Sequence, residues 1–376
     1  MKVAFTGLVF SVAALLTLGM VMLYSSSMTQ VGAHYMILQL EWCVLGLAAC
    51  AVAANLDYDL LRKFAWPIFG LAVLLLALVL KIGPIINHAQ RWLVFHGLRF
   101  QPSELGKLAL IILVAWYVAR YQAQMHKFWR GLVVPPLMVA GMLALIFKEP
   151  DRGTTALLTA VTGAMLVLAG VRWRFLLPPS AAVVLSFAFY LWHDPMAGKR
   201  IFAWLNPEET KSGVGLQAYE AMLALGSGGL TGLGLGNGRQ KLGFVPEHHT
   251  DFIFSIIGEE LGLIGTLGVV LAFVVLVLCG LYIARHARDT FGTLLAFGLT
   301  ILIGLQAVIN IGVVTSALPN KGLPLPFISY GGSNLVVMLA CVGVLLSIAR
   351  HAPLGETWPE DQAETEAEAV PAPHFT

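Results

Sequence analysis

The chain has 376 residues, 58% of them hydrophobic and only 12% charged, with a formal net charge of +2. A soluble domain of this length carries roughly twice that share of charge. Together with a mean hydropathy of +0.79, the composition excludes an ordinary soluble protein and indicates a polytopic membrane protein. With no basic block and no aromatic-plus-basic stripe, nothing supports nucleic-acid binding. Cys43, Cys50, Cys279 and Cys341 all lie inside apolar runs, without the paired spacings of disulfides or metal sites.

A membrane-spanning helix needs about 20 mostly apolar residues. That rule predicts an all-α polytopic membrane protein with ten spans, at 5–25, 36–55, 65–82, 103–120, 131–148, 154–171, 174–192, 252–284, 292–314 and 331–350. The first apolar run follows Met1-Lys2 and has no small-residue cleavage site behind it, so it reads as a retained span. Ten spans place both termini on one side. The short connections on that side carry Arg62-Lys63, Arg120, Lys127, Arg130, Arg172, Arg174, Arg285 and Arg288, which by the positive-inside rule makes it cytoplasmic. Residues 1–350 are expected to form one transmembrane domain, and 351–376 an acidic, disordered cytoplasmic tail.

The predicted outer connections are unlike ordinary loops. The first, 83–102, holds Arg91 and leads to Pro102-Ser103 at the start of the fourth span. There Glu104 and Lys107 share one helix face at i, i+3, either as a self-neutralising pair or as part of a site. Between spans five and six, KEPDRGT crowds Lys148, Glu149, Asp151 and Arg152 at a membrane edge, again either neutralising one another or lining an outward cavity. The long connection 193–250, between spans seven and eight, contains AYEAMLALG, read as a short helix lying on the membrane surface. Its glycine-rich stretch, GSGGLTGLGLGNG, lacks the strand–loop–helix context and GK[ST] ending of a nucleotide loop. Its backbone N–H groups remain able to approach a phosphate. The last outer loop, LPNKGLPLPFISYGGSNL, carries Lys321 and Ser329 on a proline-broken backbone of the kind tolerated where it lines a cavity.

The strongest local signal is KLGFVPEHHTDFIFSIIGEELG at 241–262. Asp251 sits where this polar run meets an apolar helix, just after Glu247, His248 and His249, with Glu259 and Glu260 about two turns further in. A carboxylate at that position can cap a helix. A cluster of carboxylates and histidines at membrane depth instead points to a site. Four separate loops thus bring both signs of charge to one predicted face, away from the cytoplasm.

Several long blocks, in order, resemble the SEDS family (shape, elongation, division and sporulation) of bacterial membrane glycosyltransferases. They are RWLVFHGLRFQPSELGKLAL, EPDRGT, GLGLGNGRQKLGFVPEHHTDFIFSIIGEELG and NIGVVTSALPNKGLPLPFISYGGS, and the resemblance covers nearly all of 1–350. GEELG and the NKG before LPLPFISYGGS resemble the division branch, FtsW, more than the elongation branch, RodA. Mild departures are EPD where QPD is common, GLQ at 215–217 where GYQ is common, and Lys199-Arg200 where two arginines are usual.

The resemblance implies a peptidoglycan glycosyltransferase in the bacterial inner membrane, polymerising lipid II on the extracytoplasmic face with release of undecaprenyl diphosphate. It implies Asp251 as the catalytic residue, either as the base or as a ligand of a divalent cation (Mg²⁺ or Mn²⁺), with no organic cofactor. Arg91, Glu104, Lys107, Asp151, Arg152, Glu247, His249, Lys321 and Ser329 are the candidate substrate-binding residues, with Lys107, Arg91, Arg152 and Lys321 the cations for the diphosphate. The implied partners are a single-span class B penicillin-binding protein and other proteins of the divisome or elongasome. Two further readings stay open: a lipid II flippase, and a non-catalytic assembly subunit.

Overall fold

The computed structural model describes residues 1–352 except 28–31, 33, 86–88, 96–97, 173, 176, 179–180, 182–184, 186–187, 189–192, 208, 212, 214, 239–249 and 321. The apolar helices of the bundle are α1 (Lys2–Ser27), α2 (His34–Asn55), α4 (Ala65–Ile82), α5 (Pro102–Tyr121), α6 (Val134–Lys148), α7 (Arg152–Leu168), α10 (Ile253–Arg285), α11 (Thr290–Val314) and α12 (Gly332–Arg350). The short α3 (Asp59–Lys63) precedes α4, and α8 (Pro195–Leu205) and α9 (Leu216–Gly228) lie in the long connection. Among the described residues, eight helical segments are long and apolar enough to cross a membrane, counting 128–148 as one; α7, at 17 residues, is shorter. Their limits fall within a few residues of the predicted spans. The seventh predicted span, 174–192, and the tail from 353 fall largely or wholly outside the described residues.

Enclosure sorts the helices. α5 and α12 are 78% and 83% buried along their apolar windows, whereas α2 is only 17% buried and α10 33%. α5 and α12 therefore form the centre, and α2 and α10 present apolar faces outward, such as Leu263, Leu267, Leu271, Val274 and Leu278 of α10. α12 packs along α2, α10 lies between α1 and α11, and α11 contacts α5 and α7.

At one end of the bundle three connections lock together. Tyr58 donates to Asp289 Oδ1 (2.9 Å), Arg288 pairs with Asp59 (2.5 Å), Ser347 donates to the Leu56 carbonyl (2.6 Å) and Arg350 to Asn55 Oδ1 (2.7 Å). The opposite end carries the loops singled out in the sequence. There a short antiparallel hairpin, β1 (Leu93–Phe95) and β2 (Leu98–Phe100), precedes α5, an element too short for periodicity to reveal.

α10 is broken at Gly262, whose φ of 68° and ψ of −163° lie outside helical space. A break frees carbonyl and amide groups that must find partners at membrane depth. The glycine-rich stretch supplies them: Leu233 N and Gly234 N donate to the carbonyls of Glu259 and Glu260 (both 3.0 Å). In return Leu263 N and Ile264 N donate to the carbonyls of Gly229 (2.9 Å) and Leu230 (3.2 Å). Glu260 completes the joint, its carboxylate accepting from Gly236 N (3.1 Å) and lying 2.6 and 2.8 Å from the Ser25 hydroxyl of α1. The amides of 232–234 and 236 are thus occupied within the protein rather than arrayed for a phosphate. α9, the expected surface helix, packs against α10.

Gly232 has a φ of +80°, and a Cβ there would collide with the Glu260 carbonyl. Gly226 is helical, with open space around it. Gly232→Ala is therefore expected to lower the unfolding temperature in detergent, while Gly226→Ala holds or raises it, alanine being favoured over glycine in a helix by about 1 kcal/mol. Equal effects of the two would contradict this role for the stretch.

Candidate functional site

Lys107 and Glu104, one turn apart on α5, form an ion pair of 2.7 Å whose side chains are 0% and 4% exposed. Charges so enclosed need further partners. Asn334 of α12 donates to Glu104 Oε2 (2.8 Å), and Lys107 Nζ donates to Gln306 Oε1 of α11 (3.0 Å). Gln306 in turn donates through Nε2 to the Pro324 carbonyl (2.9 Å). One turn on, Asn310 Nδ2 donates to the carbonyls of Leu323 (2.7 Å) and Asp251 (2.8 Å). A continuous polar ladder therefore runs from the buried ion pair, along one face of α11, to the backbone of Asp251 and the last loop.

Asp251 is half-buried and stands one residue before Phe252, the N-cap of α10. Its carboxylate abuts the backbone of Gly322: a Cβ at 322 would collide with Asp251 Oδ2. Ser329, 4% exposed, links the same parts, donating to the Thr250 carbonyl (2.6 Å) and accepting from Leu325 N (2.8 Å). Gln39 of α2 spans the following turn, donating to the Ser329 carbonyl (3.2 Å) and accepting from Gly331 N (3.2 Å). The hairpin joins through Ser333, whose hydroxyl donates to the Arg99 carbonyl (3.1 Å) and accepts from Gln101 N (3.0 Å).

The remaining candidates occupy the rim. Arg91 donates to the carbonyls of Glu149 (2.7 Å) and Pro150 (2.6 Å), joining the hairpin segment to the α6–α7 turn. Asp151 is the N-cap of α7, accepting from Thr154 N (3.1 Å) and Thr154 Oγ1 (2.9 Å), with Gln101 Nε2 at 3.4 Å. Arg152 pairs with Asp194 (3.1 Å). The long connection reaches the same rim, where Trp204 Nε1 donates to the Ser316 carbonyl (2.8 Å) and Asn320 donates to Gln217 Oε1 (3.3 Å). Glu247, His249 and Lys321 lie outside the described residues. The structure thus joins Glu104, Lys107, Asp251 and Ser329 in one network and places Arg91, Asp151 and Arg152 in adjoining contacts. Gln306, Asn310 and Asn334 were not among the sequence candidates. Uncharged amides inside apolar runs were the signal available, since polar side chains within spans hydrogen-bond across helices.

Glu149 is fully buried, and neither carboxylate oxygen has a hydrogen-bond partner. Burial, reinforced by Asp151 and opposed by Arg91, pushes its carboxyl up to about 8.

Two predictions follow from these geometries. Lys107→Met leaves Glu104 charged and buried, and removing one partner of such a pair typically destabilises by about 3–5 kcal/mol. The double variant Glu104→Gln/Lys107→Met is expected to unfold at a higher temperature than Lys107→Met alone. For Glu149, the folded state holds the proton more tightly than the unfolded chain, whose ordinary value is 4.5, so this group weakens the fold progressively from there up to about pH 8. Glu149→Gln is expected to unfold at a higher temperature than the unsubstituted protein near pH 8, the gap closing as pH falls toward 4.5. A gap independent of pH would contradict the assignment.

Comparison with known proteins bears on the whole chain. The family model described as "Cell cycle protein", covering FtsW, RodA and SpoVE, matches residues 6–353. A protein of Trichlorobacter lovleyi named "Probable peptidoglycan glycosyltransferase FtsW" is 41% identical over 351 residues, 91% of this chain and 92% of its own. One of the same name from Geobacter metallireducens is 42% identical over 89% of this chain and 92% of its own. Among solved structures, a chain from work on polymerization and crosslinking by a peptidoglycan synthase complex superposes with a TM-score of 0.81 at 30% identity, covering 93% of this chain and 98% of that one. The rod shape determining protein RodA of Thermus thermophilus gives 0.69 at 29%, covering 93% and 97%. With its motifs, its helical bundle and this likeness over nearly its full length, the chain belongs to the FtsW/RodA/SpoVE (SEDS) family.

Proposed function

We propose that this protein is a peptidoglycan glycosyltransferase of the division branch, polymerising lipid II on the extracytoplasmic face of the bacterial inner membrane. The observation that carries this reading is the seating of Asp251: a half-buried carboxylate at the loop-bearing end of the bundle, its backbone tied to α11 and its Oδ2 against a side-chain-free Gly322. The relatives' printed names and the basic connections at the opposite end support the reaction and the sidedness.

In the proposed reaction the 4-hydroxyl oxygen of one lipid II attacks the anomeric carbon of the growing strand. The new glycosidic C–O bond forms as the bond from that carbon to the diphosphate breaks, and the centre inverts. Undecaprenyl diphosphate leaves with the bonding electrons, while Asp251 takes the hydroxyl proton. Charge developing on the diphosphate is met by Arg91 and Arg152 at the rim and by Lys321, which lies outside the described residues. Lys107, enclosed between Glu104 and Gln306, fits a supporting position beneath Asp251 better than direct phosphate contact. In the alternative role Asp251 would hold a divalent cation such as Mg²⁺ or Mn²⁺ instead of taking the proton, since hard cations favour carboxylate and phosphate oxygens. Among the described residues no group of three His, Cys, Asp or Glu forms a dedicated metal cage. A bound cation would neutralise part of the leaving-group charge.

A class B penicillin-binding protein, bringing transpeptidation to the new strand, is the proposed membrane partner. The structural neighbour's place in a peptidoglycan synthase complex supports it.

Purified protein, alone and with that partner, would be given lipid II and Mg²⁺, and glycan strands resolved on a gel. Polymer is expected from the unsubstituted protein and none from a folded Asp251→Asn variant. Gly322→Ala, by displacing the carboxylate, is expected to slow polymerisation about tenfold or more. Equal polymer from the unsubstituted protein and Asp251→Asn would remove Asp251 from the chemistry. No polymer from the unsubstituted protein with its partner present, accompanied by transbilayer movement of labelled lipid II, would favour a flippase.

A further inference from the structure

We infer that Asn310 and Gln306 are positioning residues for the transfer step, holding Asp251 and the loop beside it in register with the buried Glu104–Lys107 pair. This rests on the reading of Asp251 given above. The two amides lie at i, i+4 on α11 and face the same way, 1% and 0% exposed.

Asn310 uses both N–H bonds of its amide, on the carbonyls of Asp251 and Leu323 (2.8 and 2.7 Å). These carbonyls belong to the two segments that meet at the Asp251 carboxylate, since Gly322, next to Leu323, is the group against Oδ2. One side chain therefore sets the separation between the carboxylate and the loop that carries Lys321. The amide has one sense only: turned over, Oδ1 would face two carbonyl oxygens. In its observed sense Oδ1 is buried without a hydrogen-bond partner. Such a group burdens the fold, and an apolar residue in its place would relieve that burden. An asparagine here is better explained by where it holds Asp251 than by stability.

Gln306 extends the same restraint downward. Its amide accepts from Lys107 Nζ (3.0 Å) and donates to the Pro324 carbonyl (2.9 Å), so successive carbonyls of the last loop are held by successive amides of α11. Its orientation is set by the ion pair, because only an oxygen can face the ammonium. The Glu104–Lys107 pair then acts on the reaction through Gln306 and the loop, without touching substrate.

The test measures initial rates of lipid II consumption by the complex with its partner, for Asn310→Leu, Asn310→Gln, Gln306→Leu and Asn310→Leu/Gln306→Leu. Asp251→Asn and the unfolding temperature of each variant are measured alongside. Asn310→Leu is expected to lower kcat about tenfold or more with KM within about twofold, since a small misplacement of a reacting group is costly while substrate binding persists. Asn310→Gln, which keeps the amide, is expected to retain more of kcat than Asn310→Leu. The double variant is expected to fall less than the product of the single effects, because both residues serve one network. Rates of Asn310→Leu and Gln306→Leu near that of the unsubstituted protein, with Asp251→Asn inactive, would overturn this inference alone. Losses that track the fraction unfolded, with no change in kcat per folded molecule, would also overturn it. An Asp251→Asn variant as active as the unsubstituted protein would overturn both this inference and the catalytic reading on which it rests.

Discussion

An ion pair closed off from water constrains everything above it. Lys107 and Glu104 lie in the enclosed centre of the bundle, where an unmatched charge would be costly. Their mutual contact leaves hydrogen-bonding capacity unmet, and Asn334 and Gln306 meet part of it from two other helices. α5, α11 and α12 are thereby joined by polar contacts in a medium that offers little hydrophobic drive for helix association. Because hydrogen bonds are directional, the relative rotation of these helices is restrained as well as their separation. The site at the end of the bundle inherits that restraint through Gln306, Asn310 and the carbonyls of 251, 323 and 324.

A second constraint comes from the break in α10. An unbroken helix of 33 residues is longer than a bilayer requires, and the break at Gly262 divides it into a short part beginning just after Asp251 and a long apolar part. Exchange of backbone hydrogen bonds with 229–234 fixes the geometry of the break, and Glu260 ties it to α1 through Ser25. Asp251 is thus held from two directions, by α11 through its own carbonyl and by the braced short segment that follows it. A carboxylate on a loop gains from such bracing the precise placement that acid–base chemistry demands.

Much of the fold was legible in the sequence because membrane spans obey a strong rule: about 20 apolar residues, basic residues at the ends of short connections, and few charges between. The termini of α1, α2, α4, α5, α11 and α12 fall close to the expected limits for that reason. Asp251 and the Glu104–Lys107 pair stood out on the same ground, as charges in apolar surroundings. Gln306 and Asn310 did not, because a neutral amide hardly lowers the hydropathy of a 25-residue helix, although both carry the network. The glycine-rich stretch was legible as a special backbone, but its role depends on Gly262, 24 or more residues after every one of those glycines, and local pattern cannot reveal such a pairing. The hairpin at 93–100 was missed since strands of three residues cannot establish a period, and α8 because its 11 residues fall within a stretch read as connection. Asp151 was read as a site residue, and its carboxylate also caps α7.

The chemistry proposed here divides the charged groups by depth. The enclosed pair orders the scaffold, Asp251 sits at the boundary, and Arg91 and Arg152 lie at the rim, held by the Glu149 and Pro150 carbonyls and by Asp194. The most direct measurement is photocrosslinking of the complex with a lipid II analogue bearing a diazirine beside the diphosphate, followed by mapping of the labelled residues. Label in the segments around Arg91, Glu149–Arg152, Asp251 and Lys321-Gly322, competed by unlabelled lipid II, is the result this account predicts. Competed label at the opposite end, around Asp59, Arg288 and Asp289, with none near Asp251, would contradict it.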